Sequence, residues 1–323
     1  MKAIMLNAFG GPEVLVVDEV APGRPGAGQA LVQVMAAGVN FMDTGIRRGL
    51  GQANPLPLTP GVEGAGVVVT VGPGVTDLSP GDRVAWQYVP GSYAEMLIAP
   101  VSQLVPLPDD ISFETAAGLM MQGLTASNLV FQVHAIQKGD LAFVHAAAGG
   151  VGLMLTQMLK LLGAKVIGRV SHADKVDAVL AAGADYAVIG RASDIARQVE
   201  RLIGEQAVNV VYDGTGAEGF DESLRLLDYF GTLALYGPFM DPIAPIDIFA
   251  MPRSIKLTYP SVMHHVRSRE ALLVHARQLF TWVRTGRLNV NIGQRYTLAQ
   301  AQQAHRDIES RRSTGKLIIL PQH

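Results

Sequence analysis

The chain has 323 residues, of which 49% are hydrophobic and 17% charged, and 26 basic against 28 acidic side chains give a formal net charge of -2. This composition excludes a largely disordered chain, and the balanced charge provides no overall field that would favour nucleic acid or a membrane surface. The absence of cysteine excludes disulfides, thiolate nucleophiles and zinc sites with Cys ligands. Because the chain is too long for one compact core, we expect two domains.

The N-terminal part, residues 1–120, consists of short β-branched runs separated by Gly and Pro, with the clearest runs at residues 30–36, 66–71, 83–86 and 94–98. Short strands at this spacing are typical of an all-β, partly barrel-like unit. The N-terminus has no charged start and apolar run of the signal-peptide kind. The most apolar helical stretch, residues 151–162, is too short for a membrane span. We therefore expect a cytoplasmic protein without a membrane partner.

From residue 124 the pattern changes to strands that alternate with helices. The predicted strands cover residues 141–145, 165–169, 208–212 and 231–236, and the predicted helices cover residues 150–162, 174–182 and 219–227. This alternation predicts a doubly wound parallel sheet with helices on both faces. Helices at 269–285 and 298–311 and a strand at 316–320 follow. If the last strand completes the β unit, that domain is discontinuous in sequence.

The strongest chemical signal is a turn of small residues between the first strand and the longest helix of the α/β part: Ala146, Ala147, Ala148, Gly149, Gly150, Val151 and Gly152. A dinucleotide turn needs small residues where backbone amides approach a pyrophosphate and where the helix packs on its strand. Aligned with G-x-G-x-x-G, the run has alanine at the first glycine position and glycine at the other two. The alternative is an ordinary tight turn, but the flanking strands and helix favour a nucleotide site.

The end of the next strand indicates which cofactor binds. NAD-dependent enzymes carry an acidic residue at this strand tip, but this sequence has none there. Instead, Arg169, Ser171 and Lys175 offer charge-assisted hydrogen bonds to a 2'-phosphate. NADPH is therefore the predicted cofactor. In the alternative interpretation, the two basic residues are solvated surface charges and Asp174 caps a helix.

Several short motifs, in this order and spacing, resemble the zinc-independent, zeta-crystallin-like quinone oxidoreductases of the medium-chain dehydrogenase/reductase superfamily. Besides the turn, they are residues 9–15, 38–44, 61–66, 81–84, 123–126 and 313–317. The resemblance implies a GroES-like β-barrel catalytic domain, residues 1–122 and 262–323, and a Rossmann nucleotide-binding domain, residues 123–261. It also implies an α/β fold class, NADPH as cofactor and a homodimer.

Zinc-dependent relatives bind their catalytic metal with a Cys where this chain has Asn40 and a His where it has Val62. We therefore expect no metal, and a structural role for the adjacent Glu63. The resemblance implies that Asn40 and Thr125 lie near the nicotinamide and its ribose. The alternatives are that Asn40 satisfies a turn and that Thr125 caps a helix. Asp43 is a further catalytic candidate, which would position Asn40 or a proton-relay water, although a buried structural acid is equally compatible with the sequence.

The remaining candidates also depend on the resemblance. Cofactor contacts are expected from Arg191, Thr215, Tyr236, Gly237 and Lys316. Relatives that reduce quinones often carry tyrosines where this chain has Gly45 and Gly51. The substrate pocket is therefore expected to involve Gly45 with Tyr259 or Met240. Trp86 and His264 are further candidates for this pocket.

Without a metal to polarise an alcohol, the easier reaction is hydride delivery to an electron-poor acceptor. The predicted function is NADPH-dependent reduction of a quinone or α,β-unsaturated carbonyl compound, a small-molecule substrate. One alternative is an enoyl or 2-alkenal reductase of the same superfamily. The other is a non-catalytic NADPH-binding or RNA-binding protein, for which the only sequence support is a group of arginines at residues 267–287.

Overall fold

The computed structural model describes residues 1–50, 55–204, 206–237 and 244–323. Two compact units divide the chain: unit 1 contains Met1–Met121 and Val266–His323, and unit 2 contains Gln122–His265. The predicted domain assignment, with its boundaries at 122/123 and 261/262, stays a proposal. In the described part of the chain, no helix is long and apolar enough to cross a membrane.

The strands are, in chain order, β1 (Lys2–Leu6), β2 (Leu15–Glu19), β3 (Gln29–Val39), β4 (Glu63–Val71), β5 (Arg83–Gln87), β6 (Met96–Pro100), β7 (Val105–Pro106), β8 (Leu141–Val144), β9 (Lys165–Val170), β10 (Tyr186–Ile189), β11 (Val208–Asp213), β12 (Leu227–Leu235), β13 (Lys256–Thr258), β14 (Ile292–Tyr296) and β15 (Lys316–Ile319). The helices are α1 (Phe41–Arg47), α2 (Phe113–Asn128), α3 (Gly150–Leu161), α4 (Val176–Ala181), α5 (Ile195–Ile203), α6 (Phe220–Leu226), α7 (Val262–His265), α8 (Arg269–Arg284) and α9 (Ala301–Glu309).

Unit 1 is organised around the long strand β3. The sheet order is β14-β15-β3-β4-β5-β7, and β6 also pairs with β3. Side chains along the first part of β3 alternate between buried and half-buried, as expected of a strand with one face on a core. Leu317 lies opposite Val39, and Glu63 lies opposite Gly38. The C-terminal strand therefore joins the sheet of the N-terminal segment, as predicted, and the start of β4, the end of β3 and the start of β15 lie side by side.

Unit 2 contains a parallel six-stranded sheet with the order β10-β9-β8-β11-β12-β13. Counted from β8, this order is the 3-2-1-4-5-6 arrangement of a dinucleotide-binding fold. Strand β8 is apolar and buried along its whole length, which is typical of a strand covered on both faces. Its Phe143 packs in one core with Ile167, Val211 and Leu233 of the neighbouring strands. The predicted doubly wound sheet is confirmed.

Some elements differ from the sequence prediction. The pattern did not reveal the strands β2, β7, β10, β13 and β14, the helices α1, α5 and α7, or most of the long helix α2. The predicted strand 231–236 begins earlier, because β12 starts at Leu227 directly after α6. Thr125 lies inside α2 and does not begin a helix. That helix starts well before it, where the Ser112 hydroxyl accepts a hydrogen bond from the Thr115 amide at 3.1 Å.

Candidate active site

The small-residue turn connects β8 to α3. Its only left-handed residue is Ala146, with φ of +48, one residue before the position aligned with the first glycine. Gly149 is the N-cap of α3 and has no side chain to bind the first amides of the helix. The first turn of a helix has amides without intrahelical partners and the positive end of the helix dipole. These two properties make the start of α3 suitable for a pyrophosphate.

Close packing explains why the turn residues are small. A Cβ at Gly152 would lie 2.5 Å from the Ala146 carbonyl oxygen and 2.7 Å from the Cα of Ala147. A Cβ at Gly150 would lie 2.6 Å from the Gln122 side chain. Ala147 and Ala148 are both buried within the turn, and Val151 is half-buried. A side chain at Gly152 would therefore displace the turn, and the small residues present fit the close helix–strand packing of a dinucleotide site.

The three candidates for the 2'-phosphate lie at the end of β9 or just after it, and they differ in exposure. Arg169 is buried, and its guanidinium donates to the Gly190 carbonyl at 3.0 Å and approaches Nδ1 of His145 at 3.4 Å. Ser171 is exposed. Lys175 is buried, and burial lowers the pKa of its ammonium group, against the opposing charge of Asp174. Asp174 does not cap a helix, because His172 is the N-cap of the short helical turn at this point.

A buried polar layer lies beneath the turn, and sequence reasoning missed its centre, His145. The imidazole Nε2 is 2.9 Å from the Ser223 hydroxyl and 4.0 Å from Asp213 Oδ2. Burial, with the charge of Arg169 as a smaller contribution, lowers the pKa of His145 to about 4, so the ring is neutral. Asp213 Oδ1 accepts hydrogen bonds from the amide and the hydroxyl of Thr215, both at 2.7 Å. Thr215 is therefore held at the end of β11.

The other cofactor candidates of unit 2 lie after successive strands. Arg191 is exposed and forms a 3.0 Å ion pair with Glu218. Tyr236 follows β12, and burial raises the pKa of its phenol. The Tyr259 hydroxyl donates to the Gly237 carbonyl at 3.1 Å, so one substrate candidate and one cofactor candidate touch.

In unit 1 the structure brings together Asn40, Glu63 and Lys316. The Lys316 ammonium group donates to Glu63 Oε2 at 2.6 Å and to Asn40 Oδ1 at 2.8 Å. Asn40 Nδ2 donates to Glu63 Oε2 at 3.0 Å and to the Gly38 carbonyl at 3.3 Å. The second oxygen of Glu63 accepts the Met121 amide at 2.6 Å. Lys316 is thus buried in an ion pair, and Glu63 fixes the orientation of the Asn40 amide.

Asp43 lies one turn further along, as the third residue of α1. Its Oδ2 accepts the Asn40 amide at 2.8 Å and the Tyr93 hydroxyl at 2.9 Å. The Asn40 side chain in turn faces the Asp43 amide, which makes a reciprocal capping box at the start of α1. Burial raises the pKa of Asp43 to about 7, and the donors from Asn40 and Tyr93 only partly oppose this effect. Asp43 therefore changes its charge near neutral pH.

The substrate candidates are less well defined. Gly45 is buried within α1, and Tyr259 is largely exposed. Met240 and Gly51 lie outside the described residues. Trp86 is a core residue whose indole N–H donates to the Ser92 hydroxyl at 2.9 Å. The prediction that it lines the substrate pocket is therefore wrong. Thr125 is half-buried in the last turn of α2.

In this chain, Asn40 and Val62 stand where zinc-dependent relatives have two of their metal ligands. These offer no thiolate or imidazole. Among the residues that the structure describes, there is no group of three or more His, Cys, Asp or Glu side chains arranged to bind a metal ion.

Two family models and many relatives match this chain. The alcohol dehydrogenase GroES-like domain matches residues 26–109, and the zinc-binding dehydrogenase family matches residues 182–319. A quinone oxidoreductase from Pseudomonas aeruginosa is 37% identical and covers 99% of each chain. The structure of Escherichia coli quinone oxidoreductase complexed with NADPH is 35% identical, with a TM-score of 0.95 over 99% of this chain and 100% of that one. The chain belongs to the quinone oxidoreductase family.

Membership of the quinone oxidoreductase family confirms the resemblance that the motifs implied, together with the GroES-like and Rossmann fold class. The chain is therefore an oxidoreductase of the medium-chain dehydrogenase/reductase superfamily. A 2-haloacrylate reductase from a Burkholderia species is a further relative, 34% identical over 100% of this chain and 99% of its own. Although one matching family is described as zinc-binding, the present sequence contains no cysteine.

Proposed function

We propose that this chain uses NADPH to reduce a quinone or an α,β-unsaturated carbonyl compound. The observation that carries the proposal is the tightly packed turn before α3, whose Gly149, Gly150 and Gly152 leave room for a pyrophosphate at a helix N-terminus. The NADPH complex of the Escherichia coli relative supports the choice of cofactor. Lys175 and Ser171, and Arg169 beneath them, supply the donors and positive charge that a 2'-phosphate needs.

The chain's own residues would hold and orient the two reactants. The amides of residues 148–152 would bind the pyrophosphate, Thr215 and Arg191 would contact the adenosine part, and Tyr236 and Gly237 would lie near the nicotinamide. Asn40 and Thr125 would orient the nicotinamide and its ribose, and Lys316 is a further candidate for contact with the cofactor. When bound, NADPH supplies a hydride. Tyr259 and Met240, with the space left by Gly45, are proposed to contact the acceptor.

The type of acceptor follows from the side chains available. Asn40 and Val62 provide no thiolate or imidazole for a metal, so alcohol oxidation would lack its usual activation. A quinone or enone needs less activation by the protein, since the oxyanion that hydride transfer creates is stabilised by resonance. Positioning of the acceptor and exclusion of water are then the main contributions of the protein.

An enoyl or 2-alkenal reductase is the second candidate. The Burkholderia relative that is named a 2-haloacrylate reductase favours this candidate, because a haloacrylate is a conjugated carboxylate. A non-catalytic RNA-binding role has weaker support. Arg269 is paired with Asp77 at 2.8 Å and Arg284 with Asp110 at 2.7 Å, which reduces the positive charge that this helix offers to a phosphate backbone.

A panel of acceptors tests the proposal. Purified protein is mixed with NADPH or NADH and with benzoquinones, enones or 2-alkenals, and loss of the reduced nicotinamide absorbance is followed. We expect NADPH oxidation only when an acceptor is added, with NADH at least about tenfold poorer. Rates highest with 2-alkenals would favour the second candidate. No oxidation with any acceptor, together with RNA binding that weakens steeply with salt, would support the non-catalytic role.

We also infer a homodimer formed through the edge of the unit 2 sheet. Strand β13 is an edge strand, and the segment before it carries Ile248 and Phe249, which are 75% and 97% exposed. Tyr229 and Phe230, on the neighbouring strand β12, are also exposed. Large apolar side chains near an open sheet edge are typical of an interface. A second copy of this chain would cover both the edge strand and these side chains.

A further inference from the structure

Both hydrogen-bond donors of Thr215 are bound to a single atom, the Oδ1 oxygen of Asp213. The amide nitrogen and the hydroxyl oxygen of Thr215 each lie 2.7 Å from it. A carboxylate can only accept, and a threonine hydroxyl has one hydrogen to give. The hydroxyl oxygen of Thr215 therefore has no hydrogen left to donate, and it offers only its lone pairs to a bound molecule.

Asp213 is held firmly at the end of β11. Its carbonyl accepts the Tyr236 amide at 2.9 Å, and its side chain is fully buried. The second carboxyl oxygen, Oδ2, lies 4.0 Å from Nε2 of His145 and has no hydrogen-bond partner among the described residues. The carboxyl group therefore spends its hydrogen bonds on Thr215 alone.

The hydrogen bonds of His145 explain why Oδ2 points inwards. Nδ1 of this ring lies 3.4 Å from the Arg169 guanidinium, which can only donate, so Nδ1 accepts and the ring carries its hydrogen on Nε2. Nε2 then donates to the Ser223 hydroxyl at 2.9 Å. A nitrogen that bears a hydrogen, and not a lone pair, thus faces Asp213 Oδ2. This arrangement favours the orientation in which Oδ1 is left for Thr215.

Thr215 itself is half-buried at the carboxyl end of the parallel sheet, the end at which such sheets bind their ligands. The chain that follows it packs on the turn after β10. Glu218 pairs with Arg191 at 3.0 Å, and a Cβ at Gly219 would lie 2.8 Å from the Cβ of Ala192. Strand β10 is the neighbour of β9, whose end carries the proposed 2'-phosphate contacts. These contacts favour the adenosine half of the cofactor as the neighbour of Thr215.

We propose that Thr215 recognises a hydrogen-bond donor in the adenosine part of NADPH, and that Asp213 is the positioning residue that restricts Thr215 to accepting. This inference rests on the proposed function. Because the adenosine ribose of NADPH carries its phosphate on the 2'-oxygen, the donors in this part are the adenine amino group and the 3'-hydroxyl. An ionised phosphate oxygen would meet a lone pair of Thr215. Thr215 therefore selects the nucleoside and not the phosphates.

Two cofactor analogues distinguish the two donors. The hypoxanthine analogue of NADPH has an oxygen in place of the amino group, and the 3'-deoxy analogue lacks the hydroxyl. In fluorescence titrations, the wild-type protein should bind one of these analogues about threefold to tenfold more weakly than NADPH, the loss expected for one hydrogen bond. Equal affinity of the wild-type protein for NADPH and both analogues would overturn the proposal.

Two variants of Thr215 assign that loss to its hydroxyl. Thr215→Val has the same shape but no lone pair, so it should bind NADPH about threefold to tenfold more weakly and lose nothing further with the analogue that wild type discriminates against. Thr215→Ser restores the acceptor and should restore the discrimination. If Thr215→Val discriminates between NADPH and the analogues as strongly as wild type does, Thr215 does not make the contact.

Asp213 offers a matched pair. Asp213→Asn keeps an oxygen that can accept both donors of Thr215, so it should retain the discrimination between NADPH and the analogue to within about twofold. Asp213→Leu has a similar size but no acceptor, and it frees the Thr215 hydroxyl to turn and donate. Its discrimination should therefore decrease. Equal discrimination by the two Asp213 variants would contradict the positioning role, and the Thr215 variants test the contact itself should Asp213→Leu not fold.

Turnover separates this inference from the proposed function. In Thr215→Val the KM for NADPH should rise by a larger factor than kcat falls, because the contact is to the part of the cofactor that does not react. Wild-type turnover with NADPH, combined with analogue affinities that Thr215→Val leaves unchanged, would overturn the role of Thr215 and leave the proposed function intact. Absence of saturable NADPH binding by the wild-type protein would contradict both.

Discussion

At the scale of single residues, we propose that Lys175 contributes most to the preference for NADPH. Lys175 follows β9 in unit 2 and is buried near the charge of Asp174. A charged group that loses solvent gains more from a phosphate partner than an exposed one does. The proposed preference for NADPH is therefore expected to depend on Lys175.

Lys175→Ala should weaken NADPH binding by about tenfold to a hundredfold, the loss expected for one charge-assisted hydrogen bond, and leave NADH binding almost unchanged. Fluorescence titration with each cofactor measures the change. Lys165→Ala, which removes an exposed lysine at the other end of the same strand, is the control and should leave both affinities unchanged. Equal losses for the two cofactors would contradict the assignment of the 2'-phosphate to Lys175.

Asp43 should also make stability depend on pH. Its pKa is about 7 in the folded protein against 3.8 for the ordinary group, so between these values the folded state binds more protons than the unfolded state. The free energy of unfolding therefore falls as the pH rises through this window. Asp43→Asn removes this dependence. The free energy of unfolding of the variant should therefore exceed that of wild type by an amount that grows with pH, up to about 4 kcal/mol.

Denaturant unfolding of wild type and Asp43→Asn at several pH values measures that advantage. The asparagine oxygen can still accept from the Asn40 amide and the Tyr93 hydroxyl, so the substitution is nearly isosteric. A constant difference between the two proteins across the pH range would show that Asp43 is already ionised at low pH.

At the scale of elements, the Glu63–Lys316 pair joins the first residues of β4 and β15 on either side of β3. Removing one partner of a buried pair leaves the other charge without compensation, so Glu63→Gln and Lys316→Met should each cost about 3–5 kcal/mol. The double variant leaves no unpaired charge and should lose much less than the sum. Denaturant unfolding of the four proteins gives the coupling energy, and strictly additive losses would contradict a direct pair.

The sequence was most informative about elements with a strong period or a special turn. The parallel sheet, the start of α3 and the return of the last strand to the first sheet were all predictable, because each depends on residues close in sequence or on a known topology. Most of the long helix α2 was missed, and so were short strands, since β10 and β13 span only four and three residues. Patterns of that length cannot be distinguished from loops.

The contacts of the site were harder to predict than its residues. Asn40, Asp43 and Lys316 were candidates, but their partners Glu63, Tyr93 and His305 come from distant parts of the chain. His305 shares a face of α9 with Ala301, Ala304 and Ile308, which is the one sign in the sequence that its imidazole is fully buried. The only available signal was the GroES-like sheet order, which brings β3, β4 and β15 together once the family is known.

At the scale of the whole molecule, the proposed homodimer depends on the apolar segment before β13. Phe249→Asp places a charge in the proposed interface and should convert a dimer to a monomer, as measured by sedimentation equilibrium. Val274→Asp is the control, because Val274 is 54% exposed on α8 of unit 1 and should leave the dimer intact. A wild-type protein that sediments as a monomer, or a Phe249→Asp protein that stays a dimer, would contradict this interface.

Direct hydride delivery from NADPH without a metal can be measured in a single turnover. Protein dialysed against a chelator is mixed with one equivalent of NADPH, either unlabelled or deuterated at both C4 positions, and then with excess quinone in a stopped-flow instrument. We expect full activity after chelation and slower loss of the NADPH absorbance with the deuterated cofactor, since a C–H bond breaks in that step. Activity that disappears on chelation and returns with zinc, or equal rates for the two cofactors, would contradict the proposed reaction.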